Sequence, residues 1–235
     1  MKNRNYFLIF IFACCSGVVC TAEGQNKNRH YVKNRIMTTE DGNSFREKVL
    51  YYDIFGKHTE TVQVGASPQG KDLLFTFGYD ILDRPVGESL PLPDGNRNYY
   101  GDEYYYSGCV YGNSSLNRIR ESYGPGAAWR DNGKSIKTEY LVNADSGDLS
   151  CAEFRAEDNG EDVRLIRSGL YAAGELSVAR TTDEDGKVVY TFTDFEGKLL
   201  LTRRMNGTEP HDTYIVYDDR GRKRIVLPPL AADEL

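Results

Sequence analysis

The stretch TTDEDGKVVYTFTDFEGKLLLTRR, residues 181–204, contains one short strand pattern with a similar turn on each side. In its centre, Val188, Tyr190 and Phe192 occupy every second position, the period that places alternate side chains on opposite faces of a strand. The flanking segments TDEDGK and TDFEGK both begin with Thr-Asp and end with Gly-Lys. The stretch therefore predicts antiparallel strands joined by tight turns.

The same turn pattern, [YT]-D-x-x-[GD]-[KR], occurs five times along the chain. The Asp side chain is expected to accept hydrogen bonds from backbone N–H groups two or three residues later, and the Gly supplies a positive φ that feeds the returning strand. In the second copy an Asp replaces the Gly, and Asp tolerates the left-handed region better than most residues. The predicted turn residues are Asp53 and Gly56, Asp80 and Asp83, Asp183 and Gly186, Asp194 and Gly197, and Asp218 and Gly221.

The remaining sequence favours an all-β fold, mainly an antiparallel strand-turn meander with one short helix. Seventeen Tyr and 23 Gly in 235 residues are typical of strands and turns. The helix is predicted in SSLNRIRESY, residues 114–123, where Leu116, Ile119 and Tyr123 have helical spacing. Because no low-complexity linker interrupts the chain, we expect one domain over residues 23–235, with a looped insertion at about residues 95–135.

Residues 1–22 have the features of a secretory signal peptide. Lys2 and Arg4 precede an apolar run, and small residues follow at Thr21, Ala22 and Gly24. The run is shorter than the roughly 18 residues of a membrane span, so no integral membrane span is predicted. We expect export, with cleavage after Ala22 or Gly24, to the periplasm, the cell surface or the medium; a lipoprotein is the alternative reading.

The charge of the chain restricts the classes of partner, and its cysteine content bears on the redox state of its compartment. The net charge is -6, and removal of Lys2 and Arg4 leaves 27 basic against 35 acidic residues, so nucleic acid is not an expected partner. Three of five cysteines precede residue 21, which leaves Cys109 and Cys151. They could form a disulfide in an oxidising compartment or remain as two buried thiols, and the sequence leaves both alternatives open.

Four blocks of the sequence resemble the YD-repeat (Rhs-type) family of secreted bacterial proteins. They are YYDIFGKHTETVQVGASPQGKDLLFTFGYDILDRPVGESLPLP, SSLNRIRESYGPGAAW, GELSVARTTDEDGKVVYTFTDFEGKLLLTRR and YIVYDDRGRKRIVLPP. The similarity is greatest to the uncharacterised domain at the N-terminus of long Rhs-type chains from Gram-negative bacteria. The blocks span roughly residues 50–230.

The resemblance implies a non-catalytic exported scaffold, the front part of a surface or secreted protein. In full-length members of the family, strand-turn repeats form a long curved sheet that closes into a hollow shell around a C-terminal toxin. The DPxGL autoproteolysis signature of those members does not occur in these residues, so the toxin and the shell closure are not carried over from the resemblance. The implied partners are further YD repeats of the same or another chain.

Catalytic and metal-binding signatures are missing from the sequence. The three histidines, His30, His58 and His211, lie in unrelated contexts without ligand spacing, and no P-loop or G-x-S-x-G motif occurs. A calcium loop at Asp183 fails because Thr181 and Phe192 occupy positions that need carboxylates. We therefore predict no catalytic residue, no metal site and no cofactor.

A Tyr-rich loop at residues 99–111 offers an alternative function. Its tyrosines could stack on sugar rings as a glycan- or cell-surface-binding module, or they could simply pack in the sheet. The basic pairs Arg203-Arg204 and Lys223-Arg224 are predicted to lie on solvated strand faces. The candidate platform residues are Tyr99, Tyr100, Tyr104, Tyr105 and Tyr106.

Overall fold

The computed structural model describes residues 18–21, 29–101, 104–158 and 162–233. They form seventeen β-strands, two short α-helices and one 3-10 turn at Gly147–Leu149, which confirms the all-β prediction. The elements are β1 Val18–Thr21, β2 His30–Met37, β3 Phe45–Tyr52, β4 His58–Gln63, β5 Leu73–Tyr79, β6 Pro85–Ser89, β7 Leu92–Pro93, β8 Tyr106–Tyr111, β9 Ile119–Tyr123, α1 Ala127–Asp131, β10 Ile136–Val142, β11 Ala152–Asp158, β12 Val163–Leu170, β13 Ser177–Thr182, β14 Val188–Thr193, β15 Leu199–Asn206, β16 Glu209–Tyr217, β17 Lys223–Leu227 and α2 Pro229–Asp233.

The chain divides into two compact units, a finer division than the single domain expected from the sequence. The first unit comprises the described residues up to Gly108 together with Gly124–Arg130. The second comprises Cys109–Tyr123 and the described residues from Asp131 onward. The boundary falls inside the expected insertion at residues 95–135, and that segment contains β8, β9 and α1 as regular elements.

The first unit is an antiparallel meander in which β1 to β6 follow one another in sheet order. The short strand β7 pairs with the start of β5, and the first half of β8 pairs with β6. Val49 and Leu92 are fully buried at 1% and 0% exposure. Lys33 is also buried, and the ion pair between its ammonium and Glu47, at 2.9 Å, compensates for the loss of water.

The second unit is also antiparallel, with the order β9-β10-β13-β14-β15-β16-β17. After β10 the chain leaves this order, forms the separate hairpin β11–β12, and returns as β13 beside β10. Side chains of β11 and β16 are in contact, so the hairpin covers part of one sheet face. The non-local return of the chain thus creates the main buried core.

One row of side chains across five strands forms the centre of this core. Cross-strand pairing aligns each member with the next, and each is at most 7% exposed. Such in-register rows are the units that stabilise a sheet. The row runs through Val178, Phe192, Leu201, Tyr214 and Leu227.

The helix predicted in residues 114–123 is wrong. Residues Ile119–Tyr123 form β9, and Ser122 lies opposite Ile136 of β10. The helices lie instead at Ala127–Asp131 and Pro229–Asp233, five residues each. The spacing of three apolar residues fits a helix, but pairing with β10 determines the backbone conformation, as tertiary context often does for short segments.

Candidate functional site

All five segments with the YD pattern form the same turn. In each, the Asp backbone N–H donates to the carbonyl four residues later, and the N–H of the residue at the Gly position donates to the Asp carbonyl. The Asp Oδ1 atom then accepts the N–H groups two and four residues later, at 2.8–3.0 Å. Each turn is therefore closed by four hydrogen bonds, two between backbone groups and two accepted by the Asp side chain.

The residue at the fourth turn position has a positive φ in every copy. The four glycines have φ between 72° and 83°, and Asp83 has φ 65°. Glycine has no Cβ and adopts this region without steric cost. Asp83 forms an ion pair with Lys57 of the preceding YD turn.

The turn carboxylates of Asp80 and Asp218 have pKa values below the usual range. For Asp80 the backbone N–H of Arg84 is the largest cause, and the Arg84 side chain adds to it. For Asp218, burial opposes ionisation, but hydrogen bonds from the Arg222 backbone and guanidinium lower its pKa. Both carboxylates thus remain ionised where they hold the turn.

A sixth turn of the same kind lies between β4 and β5. The Ser67 N–H donates to the Lys71 carbonyl at 3.0 Å, and the Gly70 N–H donates to the Ser67 carbonyl at 2.9 Å. The Ser67 hydroxyl replaces the carboxylate by accepting the Lys71 N–H at 2.7 Å. The YD pattern does not include this turn because Ser replaces Asp at its first position, although Ser hydroxyls form the same bonds more weakly.

Gly186 provides a direct test of the turn chemistry, because a Cβ at this position would meet no atom within 4 Å. We expect Gly186→Ala to lower the free energy of unfolding by about 1–2 kcal/mol through backbone strain alone. Gly186→Asp should cost less, since Asp83 occupies the equivalent position. Urea denaturation measures both, and equal losses for Ala and Asp would contradict this account.

The five candidate platform tyrosines lie in the first unit, and they form neither a buried cluster nor a flat platform. Tyr99 is 58% exposed and Tyr100 is 37% exposed, and their rings meet edge to face at 5.1 Å. Tyr105 and Tyr106 are also nearly perpendicular, with an interplanar angle of 82°. Tyr104 is half-buried. Perpendicular rings do not present one continuous stacking surface.

Arg130 from α1 occupies the ring faces of two of these tyrosines. Its guanidinium carbon lies 4.9 Å from the Tyr104 centroid and 4.3 Å from the Tyr106 centroid. One guanidinium N–H also donates to the Tyr106 carbonyl at 2.9 Å. Cation–π contacts of this kind stabilise the loop and leave those faces covered.

The two remaining cysteines are free thiols, so the disulfide considered from the sequence does not form in this structure. Cys151 is fully buried in the core of the second unit, whereas Cys109 is half-buried in β8. Burial raises the pKa of the Cys151 thiol to about 12. A thiol with that pKa stays protonated and unreactive at neutral pH.

A cleft of about 400 Å³ lies between hairpin β11–β12 and the sheet of the second unit. Burial raises the pKa of both Tyr171 and Tyr214 in its wall to about 12. Four of the charged side chains around it are held by local partners: Arg155 pairs with Glu153 at 2.7 Å, and the Asp194 and Asp218 carboxylates close their own turns. These groups stabilise the wall of the cleft.

A buried ion pair lies beside this cleft. Arg203 is 7% exposed, and its guanidinium binds Asp212 through two hydrogen bonds of 2.8 and 2.6 Å. It also donates to the carbonyls of Asp148 and Ser150, at 2.8 and 3.1 Å. Burial alone would lower the pKa of Arg203, but Asp212 raises it above the usual value. The prediction of a solvated face for Arg203 is therefore wrong.

Strand alternation explains the different positions of neighbouring arginines. Arg203 lies two residues after Leu201 and shares its face, which the segment before β11 covers. Arg204 points to the opposite face and is exposed, as are Lys223 and Arg224. The sequence pattern identified alternation but not which face would be covered.

A second, shallower cavity of about 330 Å³ lies in the second unit near the β8–β9 loop. Arg118 and Arg120 lie in its wall with Tyr140, and the Arg118 guanidinium carbon lies 4.7 Å from the Tyr140 centroid. Asn113 and Ser114 complete one side. All of these residues are exposed, so the cavity is open to solvent.

The described part of the chain contains neither a metal-binding cluster nor a membrane-spanning helix. There, no group of three or more His, Cys, Asp or Glu side chains has an arrangement that could hold a metal ion. His58 packs between Tyr52 and Phe77, with centroid distances of 5.6 and 4.3 Å. None of the helices within the described residues has the length and apolar character to cross a membrane.

The chain matches a protein-family model. The model described as "Domain of unknown function (DUF6443)" matches residues 25–142, half of the chain. The chain belongs to the DUF6443 family. No curated protein matches it.

The DUF6443 match covers β2 to the end of β10. It therefore includes the first two YD turns, the Ser67 turn and the Tyr-rich loop. The last three YD turns, hairpin β11–β12 and the buried Arg203 lie beyond it. The turn geometry thus continues without change from the DUF6443 segment into the rest of the chain.

Proposed function

We propose that this DUF6443 protein is a non-catalytic, exported scaffold segment of an RHS/YD-repeat surface or secreted protein, similar to the front part of shells used in toxin delivery. The observation that supports the proposal is the recurrence of one turn, with the same four hydrogen bonds, in both units of the chain. A turn that closes by local bonds can be repeated indefinitely, which is the requirement for an extendable strand array.

The last strand of the second unit supplies the surface for extension. β17 pairs with β16 and with no other strand of the described residues. Its free edge presents backbone N–H and C=O groups that another antiparallel strand can pair with. The partners we propose are therefore further YD repeats, of the same or another chain.

Export would create a second free edge. Of the proposed signal peptide, residues 1–22, the structure describes only Val18–Thr21, which is β1 and pairs with β2. Cleavage after Ala22 or Gly24 removes β1 and leaves β2 at the edge. The segments 1–17 and 22–28, which include both cleavage positions, lie outside the described residues.

A chimera tests whether the array can be extended at β17. A second copy of residues 183–217 is joined directly after Leu227, so that its first YD turn follows β17 as it follows β13 in the native chain. We expect the added strands to protect the β17 amides from hydrogen exchange and to unfold with the second unit in one transition, because their pairing is intramolecular.

The control chimera carries Val at the appended copies of Gly186 and Gly197, which blocks both YD turns because a β-branched residue does not adopt positive φ. The chain ending at Leu227 measures the effect of removing α2, which packs on β16. If the appended segment exchanges as fast as an unfolded peptide while the native strands stay protected, the scaffold proposal fails.

A glycan- or cell-surface-binding module is the second candidate function. The exposure of Tyr99, at 58%, favours it, because an open aromatic ring can stack on a sugar. Arg130 already covers ring faces of Tyr104 and Tyr106, so the loop offers less stacking area than its six tyrosines suggest. We therefore rank this function below the scaffold.

A further inference from the structure

The first two YD turns carry four large apolar side chains at their tips. Ile54 and Phe55 are each 80% exposed in the β3–β4 turn, and Ile81 and Leu82 are 99% and 66% exposed in the β5–β6 turn. The turn itself does not require apolar residues there. The β13–β14 turn has the same hydrogen bonds with Glu184 and Asp185 in these positions.

The four side chains belong to one surface. In an antiparallel meander, every second turn lies at the same end of the strands, so these two turns are neighbours about 10 Å apart. An ion pair between Lys57 and Asp83 joins them. Together the tips expose an apolar area on the order of 500 Å², as large as the patches that mark interaction sites on monomers. We call Ile54, Phe55, Ile81 and Leu82 the tip patch.

Two backbone N–H groups of each turn are paired with the Asp side chain of the same turn. The Phe55 and Lys57 N–H groups donate to the Asp53 carboxylate, at 2.8 and 2.9 Å. Leu82 and Arg84 donate in the same way to Asp80, both at 2.9 Å. Because these donors are satisfied within the turn, removing water from the tips leaves them paired.

The two cations near the tip patch are both paired with carboxylates. Arg84 pairs with Asp80 at 2.7 Å and Lys57 pairs with Asp83, while Asp53 keeps its negative charge and accepts backbone N–H groups. No excess positive charge is therefore available to attract anionic lipid, and the whole chain has a net charge of -6. Any binding through this surface would rest on apolar contact and depend little on salt.

We propose that the tip patch inserts into the interfacial region of a lipid membrane and holds the protein on its surface. A protruding pair of turn tips fits a deformable lipid interface better than a second copy of the chain. Its four side chains are far fewer than the roughly 20–30 residues that each partner of a standard protein interface contributes.

The test measures co-sedimentation with large unilamellar vesicles of phosphatidylcholine, in 0.15 M and 1 M NaCl. In the tip variant, Ile54→Glu, Phe55→Asp, Ile81→Glu and Leu82→Asp transfer the tip residues of the β13–β14 turn. We expect the wild-type protein to bind at both salt concentrations and the variant to bind at least about tenfold more weakly, with an unchanged melting temperature. Changing only one of the two turns, by Ile54→Glu with Phe55→Asp or by Ile81→Glu with Leu82→Asp, should give an intermediate affinity for the vesicles.

Two controls separate the tip patch from other apolar segments. Phe195→Glu changes the single exposed Phe of the β14–β15 turn, 92% exposed, and should leave vesicle binding unchanged. The chain starting at Glu23 lacks the apolar run at residues 7–13, so the effect of the tip substitutions must persist there.

Three results would overturn the proposal. The first is no binding of the wild-type protein to vesicles at millimolar lipid, and the second is equal binding of wild type and tip variant. The third is a wild-type dimer in sedimentation equilibrium that the tip variant converts to a monomer, because the occupant would then be a second copy. None of these results depends on whether β17 accepts further repeats.

Discussion

Arg203→Ala is expected to lower the free energy of unfolding of the second unit by about 3–5 kcal/mol, because it leaves the largely desolvated Asp212 carboxylate without its cationic partner. The guanidinium makes two bonds to Asp212 and two to carbonyls of the segment before β11. Its loss should therefore also loosen hairpin β11–β12. Urea denaturation measures the stability, and hydrogen exchange of Ala152–Ala156 measures the loosening.

Arg204→Ala is the matched control, since Arg204 is the next residue on the same strand and points to solvent. Arg204→Ala should change the free energy of unfolding by no more than about 0.5 kcal/mol. The double variant Arg203→Ala with Asp212→Ala removes both charges and should recover part of the loss. A cost for Arg203→Ala as small as that for Arg204→Ala would mean that the pair does not stabilise this unit.

The local parts of the fold could be predicted from the sequence because their causes are local. A YD turn closes with bonds among five consecutive residues, so Asp194 and Gly197 specify it without help from the rest of the chain. The same holds for strand alternation in VVYTFT. Both features follow from residue type and spacing, which a sequence displays directly.

The misassigned parts depend on distant contacts. Residues Ile119–Tyr123 become a strand only because β10 lies beside them. Arg203 becomes buried only because the chain leaves the sheet after β10 and returns over one face. Likewise, the exposure of Ile54 and Ile81 at the turn tips could not be inferred from hydrophobicity, which favours burial. Sequence patterns give the alternation of faces, but the covered face is decided by the topology.

Phe192→Ala is expected to cost about 3–5 kcal/mol of unfolding free energy, the range for removing a large aromatic side chain from a core. Phe192 is 0% exposed and lies between Val178 and Leu201 in the core row of the second unit. Neighbouring strands fix the backbone on both sides, so the cavity cannot collapse easily. Thermal and urea denaturation of the full chain measure the loss.

Phe195 is the matched control, because it is the same residue type three positions later and is 92% exposed at the tip of the β14–β15 turn. Phe195→Ala should change stability by less than about 0.5 kcal/mol, since its ring is already in water. The pair separates burial from residue type and local sequence. If both substitutions cost the same, the face of β14 that carries Phe192 is not covered in solution, and the core row assigned to Val178, Phe192 and Leu201 would have to be abandoned.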